Sequence, residues 1–554
     1  MCVRGGVRTW HLPRGSLHRG AMSRHLDSLR QWIRQPAVRE FAAWCLPALV
    51  LGIILRALLM AQLPHAFYHD DSPDVLTTPD SLLFKHRWEL HSKKTFLVPL
   101  LYCVPFVLHL HAGFLIPLVQ HLVGLSVVVV VGALCRLWFA CWRWFIIPLT
   151  LLVAADPFLL WFEHCLMPES TYVFCTVLLA LAGTLYTMER SRSRLIFLCV
   201  ALTLEAGARP EGKLLFGFAL FLLVLLHASD WRVTWRRIAA VAVLGIALHF
   251  GTKTSQAGLL LYTSVARLTP VELKCAPGFD PYIAPIRQHL QERWNDRQAF
   301  PKVTDRSQVA DAVKQYLLEH PGLLEVKRHR SVNQFCTKLA METCKRNFSQ
   351  LPALAYYKFR ETATLMPSGL FDHDWLFDFQ HDAYFGSLER LYRISKILTG
   401  QSIKTERDLD AFVKDHYEEV PWFNVLANHW LDIANSWRLP DQVIRVHADK
   451  VTFPVTHQGI PCYFIIGGLG VLAVMLRRGS LQPFHIAWGL SLLGLFFVVI
   501  LTANVKPRFR LVFEPFWFIY IGLLLDTTIA AIRALVTKPK VSVQAKPQQM
   551  EVAA

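Results

Sequence analysis

Charge is scarce in this chain. Only 18% of its 554 residues are charged, against 53% apolar residues, and its mean hydropathy is positive. A soluble chain of this length divides into several domains and carries more charge to cover them, so that class is excluded. No Walker loop, GxGxxG element, HExxH or GxSxG stands in a supporting context, and nothing points to nucleotide binding. The first 40 residues lack the apolar centre of a cleaved signal peptide. The twelve cysteines show no metal-type spacing. Internal repeats and low-complexity tracts are missing as well.

What is there instead is long apolar blocks, such as "FIIPLTLLVAADPFLLWF" and "PFHIAWGLSLLGLFFVVILTA". Blocks near 20 residues are the length a bilayer requires. The pattern predicts an all-α, polytopic transmembrane helix bundle of about ten spans. These are placed at 41–62, 114–135, 144–162, 167–187, 194–208, 212–228, 237–254, 460–476, 484–503 and 511–532. A further apolar stretch at 96–111 holds two prolines. Its sixteen residues would reach only about 24 Å as a helix, so it is read as lying on or dipping into the membrane surface.

The net charge of +17 would suggest nucleic acid in a soluble protein. Here the basic residues fall in short connections, where membrane topology explains them, and no nucleic-acid partner is expected. The first 40 residues carry eight arginines against Asp27 and Glu40 and read as an inside-facing tail. With 96–111 skipped as a span, the inside connections become "CRLWFACWRW", "ERSRSR", "DWRVTWRR", "RRGS" and a tail at 536–554. All but the tail's far end are basic, as the positive-inside rule asks. The outer side then receives the loop 63–113, within a transmembrane module at 41–254, and a segment at 255–459. That segment is long enough for a small domain. Amphipathic stretches such as "DRSQVADAVKQYLLEH" predict that it is helical, inserted before the last three spans at 460–535.

Several ionisable residues then fall on one predicted face. Asp70, Asp71, Asp74 and Asp80 follow the first span in "FYHDDSPDVLTTPDSLLF". A carboxylate there is partly desolvated yet within reach of a water-borne substrate, which suits a general base; a polar loop is the plain alternative. Glu163 and Glu169 frame the turn "EHCLMPES", as catalytic groups or as ordinary turn polarity. His69 and His164 beside these carboxylates would suit a divalent ion, although no spacing is diagnostic of one. Arg209, in "LEAGARPEGKLL", lies near membrane depth, where a cation seeks an anionic partner such as a phosphate headgroup. Lys94, Arg508 and Arg510 are outside basic groups that run against the positive-inside trend; snorkelling onto ordinary lipid is the alternative for each. Cys275, Cys336 and Cys344 leave a disulfide open in the polar segment.

The ordered set of motifs resembles the GT-C superfamily of integral-membrane glycosyltransferases, nearest to its protein O-mannosyltransferase-like and aminoarabinose-transferase-like branches. Asp70-Asp71 matches the acidic pair after the first span, and Lys94 in "KKTFLVPLLY" the basic residue opening an amphipathic stretch. "DPFLLWFEHCLMPES", with Glu169, matches the acidic motif between the third and fourth spans. Arg209-Pro210 and "RFRLVFEPFW" match the two later basic motifs. Asp71 stands where glutamate is common, "KTF" replaces a proline-rich sequence, and 255–459 has no counterpart. The resemblance implies a sugar donor carried on polyprenyl phosphate and a glycan, lipid or protein acceptor. The site would be at the periplasmic or lumenal face of a bacterial inner or endoplasmic-reticulum membrane. It further implies inversion, with Asp70 as base, Asp71 and Glu169 orienting the acceptor or a divalent ion, and Lys94, Arg209, Arg508 and Arg510 holding the phosphate. No cofactor is required by it. A lipid-linked-sugar transporter and a non-catalytic membrane assembly subunit are the competing readings.

Overall fold

The computed structural model describes residues 35–68, 72–90, 95–108, 110–139, 143–251, 319–320, 332–346, 348–352, 395–397, 402–416, 420–436, 462–477, 479–502 and 511–536. Among them the regular structure is helical, with one isolated parallel bridge between Phe67 and Cys165. The first half holds α1 (Pro36–Gln62), α2 (Ser72–Lys85), α3 (Leu97–Val107), α4 (Ala112–Trp138), α5 (Ile146–Ala154), α6 (Pro157–His164), α7 (Glu169–Met188), α8 (Arg192–Ala208), α9 (Phe216–His227) and α10 (Trp231–Gly251). The second half holds α11 (Val332–Arg346), α12 (Glu406–His416), α13 (Pro421–Ser436), α14 (Cys462–Leu476), α15 (Gln482–Thr502) and α16 (Glu514–Val536).

A helix occupies each of the ten ranges read as spans. Among the described residues, five helices are by length and composition long and apolar enough to cross a membrane, or six if a bent pair counts as one. That pair is α5 and α6, expected as one span over 144–162 but bent by 42°. Asp156 and Pro157 explain the break. Proline cannot donate to the preceding turn and starts a helix well, and the Asp156 carboxylate caps the new one, accepting from the amides of Phe158 (2.9 Å) and Leu159 (3.3 Å). At 11 residues α3 reaches only about 16 Å, too short to cross.

The helices differ in how much of their apolar surface the protein itself covers. α7 is central, 72% of its most apolar window being buried, whereas α1 has 28% buried. On α1 the outward stripe is Leu46, Val50, Ile53, Ile54 and Leu58. An exposed apolar stripe at helical spacing suits lipid rather than water. Between helices in lipid, close packing and hydrogen bonds replace the hydrophobic drive. Trp138 of α4 donates to the Thr184 hydroxyl of α7 at 3.0 Å. Where α14 meets α16, a Cβ at Gly470 would collide with the Tyr520 carbonyl.

Parts of the 255–459 segment pack on the end of the bundle where α1 stops. Trp422 of α13 donates from Nε1 to the Gln62 amide oxygen at 2.6 Å, and the Phe412 ring of α12 meets the His65 ring at 5.5 Å. Cys336 and Cys344 are free thiols. Burial pushes the Cys336 thiol up to about 12, so it stays protonated and unreactive. Cys275 lies outside the described residues.

Candidate functional site

The centre of interest is the turn between α6 and α7, the "EHCLMPES" sequence. The chain leaving α1 is laced onto it. Phe67 N–H donates to the His164 carbonyl (2.9 Å), and Leu166 N–H donates to the Phe67 carbonyl (2.9 Å). The Ser72 hydroxyl, at the start of α2, donates to the Leu166 carbonyl at 3.0 Å. From the opposite side Tyr102 of α3 and Gln120 of α4 both donate to the Met167 carbonyl, at 3.1 and 2.8 Å. Four elements thus converge on one buried turn whose carbonyls would otherwise lack partners.

Glu169 is the first residue of α7, and Arg209 caps the C-terminus of α8. The two helices pack side by side and are joined by a short connection at their other ends, so they run antiparallel and bring these two residues to one end. A carboxylate at a helix N-terminus and a cation at a C-terminus both suit the helix dipoles. Arg209 Nη1 donates to Glu169 Oε1 at 3.1 Å, and Arg209 Nε lies 3.4 Å from Glu211 Oε2. The guanidinium also sits over the Tyr172 ring, 5.6 Å from its centroid. Glu169 is 3% exposed and Arg209 13%, so this cation keeps a path outward that its partner lacks. Below it Glu205, fully buried, accepts from the Thr176 hydroxyl at 2.9 Å. A partly desolvated arginine of this kind binds a phosphate or carboxylate strongly.

On the other side of the turn lies a second network. Arg56, in the last third of α1, grips Glu163 with two parallel bonds, Nε to Oε2 at 2.8 Å and Nη2 to Oε1 at 2.6 Å. Its remaining nitrogen donates to the carbonyls of Gly52 and Ala154, both at 3.2 Å. Glu163 Oε2 meets His121 Nδ1 at 2.8 Å, His121 Nε2 meets His164 Nδ1 at 3.1 Å, and His164 Nε2 meets the His65 carbonyl at 3.0 Å. Arg56, His121, Glu163 and His164 are all buried. Gly124 of α4 makes this possible, since a side chain there would occupy the space of the Glu163 carboxylate.

Of the residues singled out from sequence, the structure brings Glu169 and Arg209 into contact. Asp70, Asp71, His69, Lys94, Arg508 and Arg510 lie outside the described residues. Glu163 is not turn polarity but a buried ion-pair partner. His164 has both ring nitrogens engaged, which leaves no lone pair for a metal. Among the described residues no group of His, Cys, Asp and Glu is arranged to hold a metal ion. Sequence pattern alone does not single out Arg56 or His121. The available signal was a lone arginine inside the apolar block 41–62, a residue type that is costly at such a place.

No protein-family model matches the chain, and no curated protein matches it. Among solved structures, the chain is similar to the crystal structure of the Archaeoglobus fulgidus oligosaccharyltransferase in its apo form, with 11% identity and a TM-score of 0.39. The match covers 90% of this chain and 52% of that one, so the chain spans about half the length of the protein it resembles. A likeness at that level carries no argument about activity.

Proposed function

We propose that this chain is an integral-membrane glycosyltransferase of the GT-C type. It would move a sugar from a polyprenyl-phosphate carrier to an acceptor hydroxyl at the periplasmic or lumenal face. The observation that carries the reading is the Glu169–Arg209 contact at 3.1 Å. Two motifs forty residues apart, chosen from sequence for opposite roles, meet at one end of the bundle. The flanks of the acidic pair support it. Phe67 on one side and Ser72 on the other are both bonded to Leu166, three residues before Glu169.

The chemistry asks for a base, a cation and alignment. The acceptor oxygen attacks the anomeric carbon as the bond from that carbon to the phosphate oxygen breaks. The electron pair leaves with the polyprenyl phosphate, and the hydroxyl proton passes to a carboxylate, for which Asp70 is assigned. Attack opposite the leaving group inverts the anomeric centre, as in inverting hydrolysis. Arg209, with Lys94, Arg508 and Arg510, neutralises charge growing on the departing phosphate. Asp71 and Glu169 orient the acceptor, and Glu169 also holds Arg209 in place before the donor arrives.

Asp70→Asn and Arg209→Gln test this. Each is expected to lower release of polyprenyl phosphate by roughly 100- to 1000-fold, the loss typical of removing one such group, at unchanged protein level. A transporter or assembly subunit would tolerate both, and retained transfer in both variants would refute the assignment.

A further inference from the structure

The contacts of the second network call for more ring hydrogens than two neutral imidazoles carry. Three contacts involve the rings of His121 and His164: to Glu163 Oε2 at 2.8 Å, between the rings at 3.1 Å, and to the His65 carbonyl at 3.0 Å. A backbone carbonyl only accepts, so His164 Nε2 carries a hydrogen. Arg56 spends two N–H groups on the Glu163 carboxylate, which keeps it an acceptor, so His121 Nδ1 must donate to it. Between the rings one nitrogen must donate and the other accept. Three ring hydrogens are therefore needed, while two neutral imidazoles carry only two.

Moving the proton does not remove the surplus. Placing it on Glu163, so that the acid donates to His121, leaves the same count for the whole chain of groups. Without it, two acceptors would face each other at hydrogen-bond distance in a buried site, which is costly. The charged and titratable groups around the pair are Arg56 from α1, Glu163 from α6, and His65 and His111, whose rings meet edge to face at 5.1 Å. Cys165 lies in the turn itself, and past it stand Tyr102 and Glu169, held on Met167 and Arg209.

We propose that His121 and His164 share one buried proton, and that this proton keeps the segment 65–67 seated on the turn 164–166. His164 is the coupling point. Its ring holds the His65 carbonyl, and its own carbonyl receives Phe67 N–H at 2.9 Å. Both histidines are positioning residues, and the inference stands whether or not the chain transfers sugars.

The test uses the full chain in lipid nanodiscs, labelled with nitrogen-15 histidine. The His121 and His164 resonances are assigned by loss in His121→Asn and His164→Asn. At neutral pH the wild type should show three protonated ring nitrogens among the four of this pair. In Glu163→Gln the negative charge that balances the surplus proton beside Arg56 is gone, so the count should fall to two with the ring-to-ring contact kept. Hydrogen exchange adds a readout of seating. Raising the pH until the surplus proton leaves should speed exchange of the Phe67 and Leu166 amides on the order of tenfold beyond the intrinsic change. Glu163→Gln should show no such step. A wild-type spectrum with only two protonated nitrogens overturns the proposal. So does protection of these amides that does not change when the proton is lost. If Glu163→Gln fails to accumulate, the wild-type spectrum and exchange profile decide alone.

Discussion

Gly124→Ala is a single methyl group placed against a buried carboxylate held by Arg56 and His121. The new Cβ would fall inside contact distance of Glu163 Oε1 and Cδ, and 2.7 Å from Oε2. No rotation of the carboxylate clears both oxygens and the carbon. Nor is the group free to swing aside, because Arg56 holds both oxygens and His121 holds one. If the surroundings absorbed the methyl by small shifts, overpacking would cost about 1–3 kcal/mol. If Glu163 is driven off Arg56, the cost is that of breaking a buried ion pair, about 3–5 kcal/mol. Three fixed donors favour the second outcome. Gly217→Ala is the control, since a Cβ there meets nothing within 4 Å; it should be neutral or stabilising by up to about 1 kcal/mol from helix propensity. Reversible unfolding in mixed micelles, followed by circular dichroism, measures both. The same glycine change made on Glu163→Ala should cost less than about 1 kcal/mol, because the obstructing carboxylate is gone. The reasoning fails if Gly124→Ala matches Gly217→Ala within about 0.5 kcal/mol, or costs the same with and without the Glu163 carboxylate.

Three smaller expectations follow from other parts of the molecule. Asp156→Ala removes the cap that restarts the chain after the α5–α6 break and should lower stability by about 1 kcal/mol; Asp156→Asn, which can still cap, should recover most of it. The start of α12 is a capping box, with the Asp408 carboxylate accepting from the Lys404 and Thr405 amides and Asp408 N–H bonded to the Thr405 hydroxyl. Those bonds, the Lys404 amide foremost, hold Asp408 below its ordinary value of 3.8. A folded value below the unfolded one stabilises the helix start above that range, and the benefit fades as pH falls through the folded value; exchange at Leu409 should therefore quicken in acid in the wild type and not in Asp408→Asn. Cysteines introduced at Ser193 and at Trp88, with the partly exposed Cys199, Cys344 and Cys462 replaced, should label from opposite sides of the membrane, and labelling from one side would refute the proposed topology.

The helical character of the bundle was legible in the sequence because a bilayer demands long apolar blocks; the span number was less so, since five or six of the described helices, against ten expected spans, are long and apolar enough to cross. The break at Asp156-Pro157 had a local signal, a dipeptide that stops one helix and caps the next, but the length of the apolar block led to one span over 144–162. Glu169 and Arg209 stood out because each is an ionisable residue at the edge of an apolar run, where its cost is visible locally. The Arg56 network was not legible in the same way. Glu163 and Arg56 are 107 positions apart, and His121 is 42 from Glu163. Nothing in a linear pattern states that these helices cross at that height, or that Gly124 leaves the opening. What the sequence does state is a lone arginine in an apolar span, which requires a buried partner somewhere.

The most direct test of the proposed function is donor consumption. Purified full-length protein in nanodiscs is incubated with a panel of polyprenyl-phosphate sugars and simple hydroxyl acceptors, and free polyprenyl phosphate is quantified by mass spectrometry. The account predicts that one donor is consumed by the wild type, and that Arg209→Gln nearly abolishes its consumption. Consumption of a donor at an undiminished rate by Arg209→Gln, or release of no polyprenyl phosphate from any member of the panel, would contradict it.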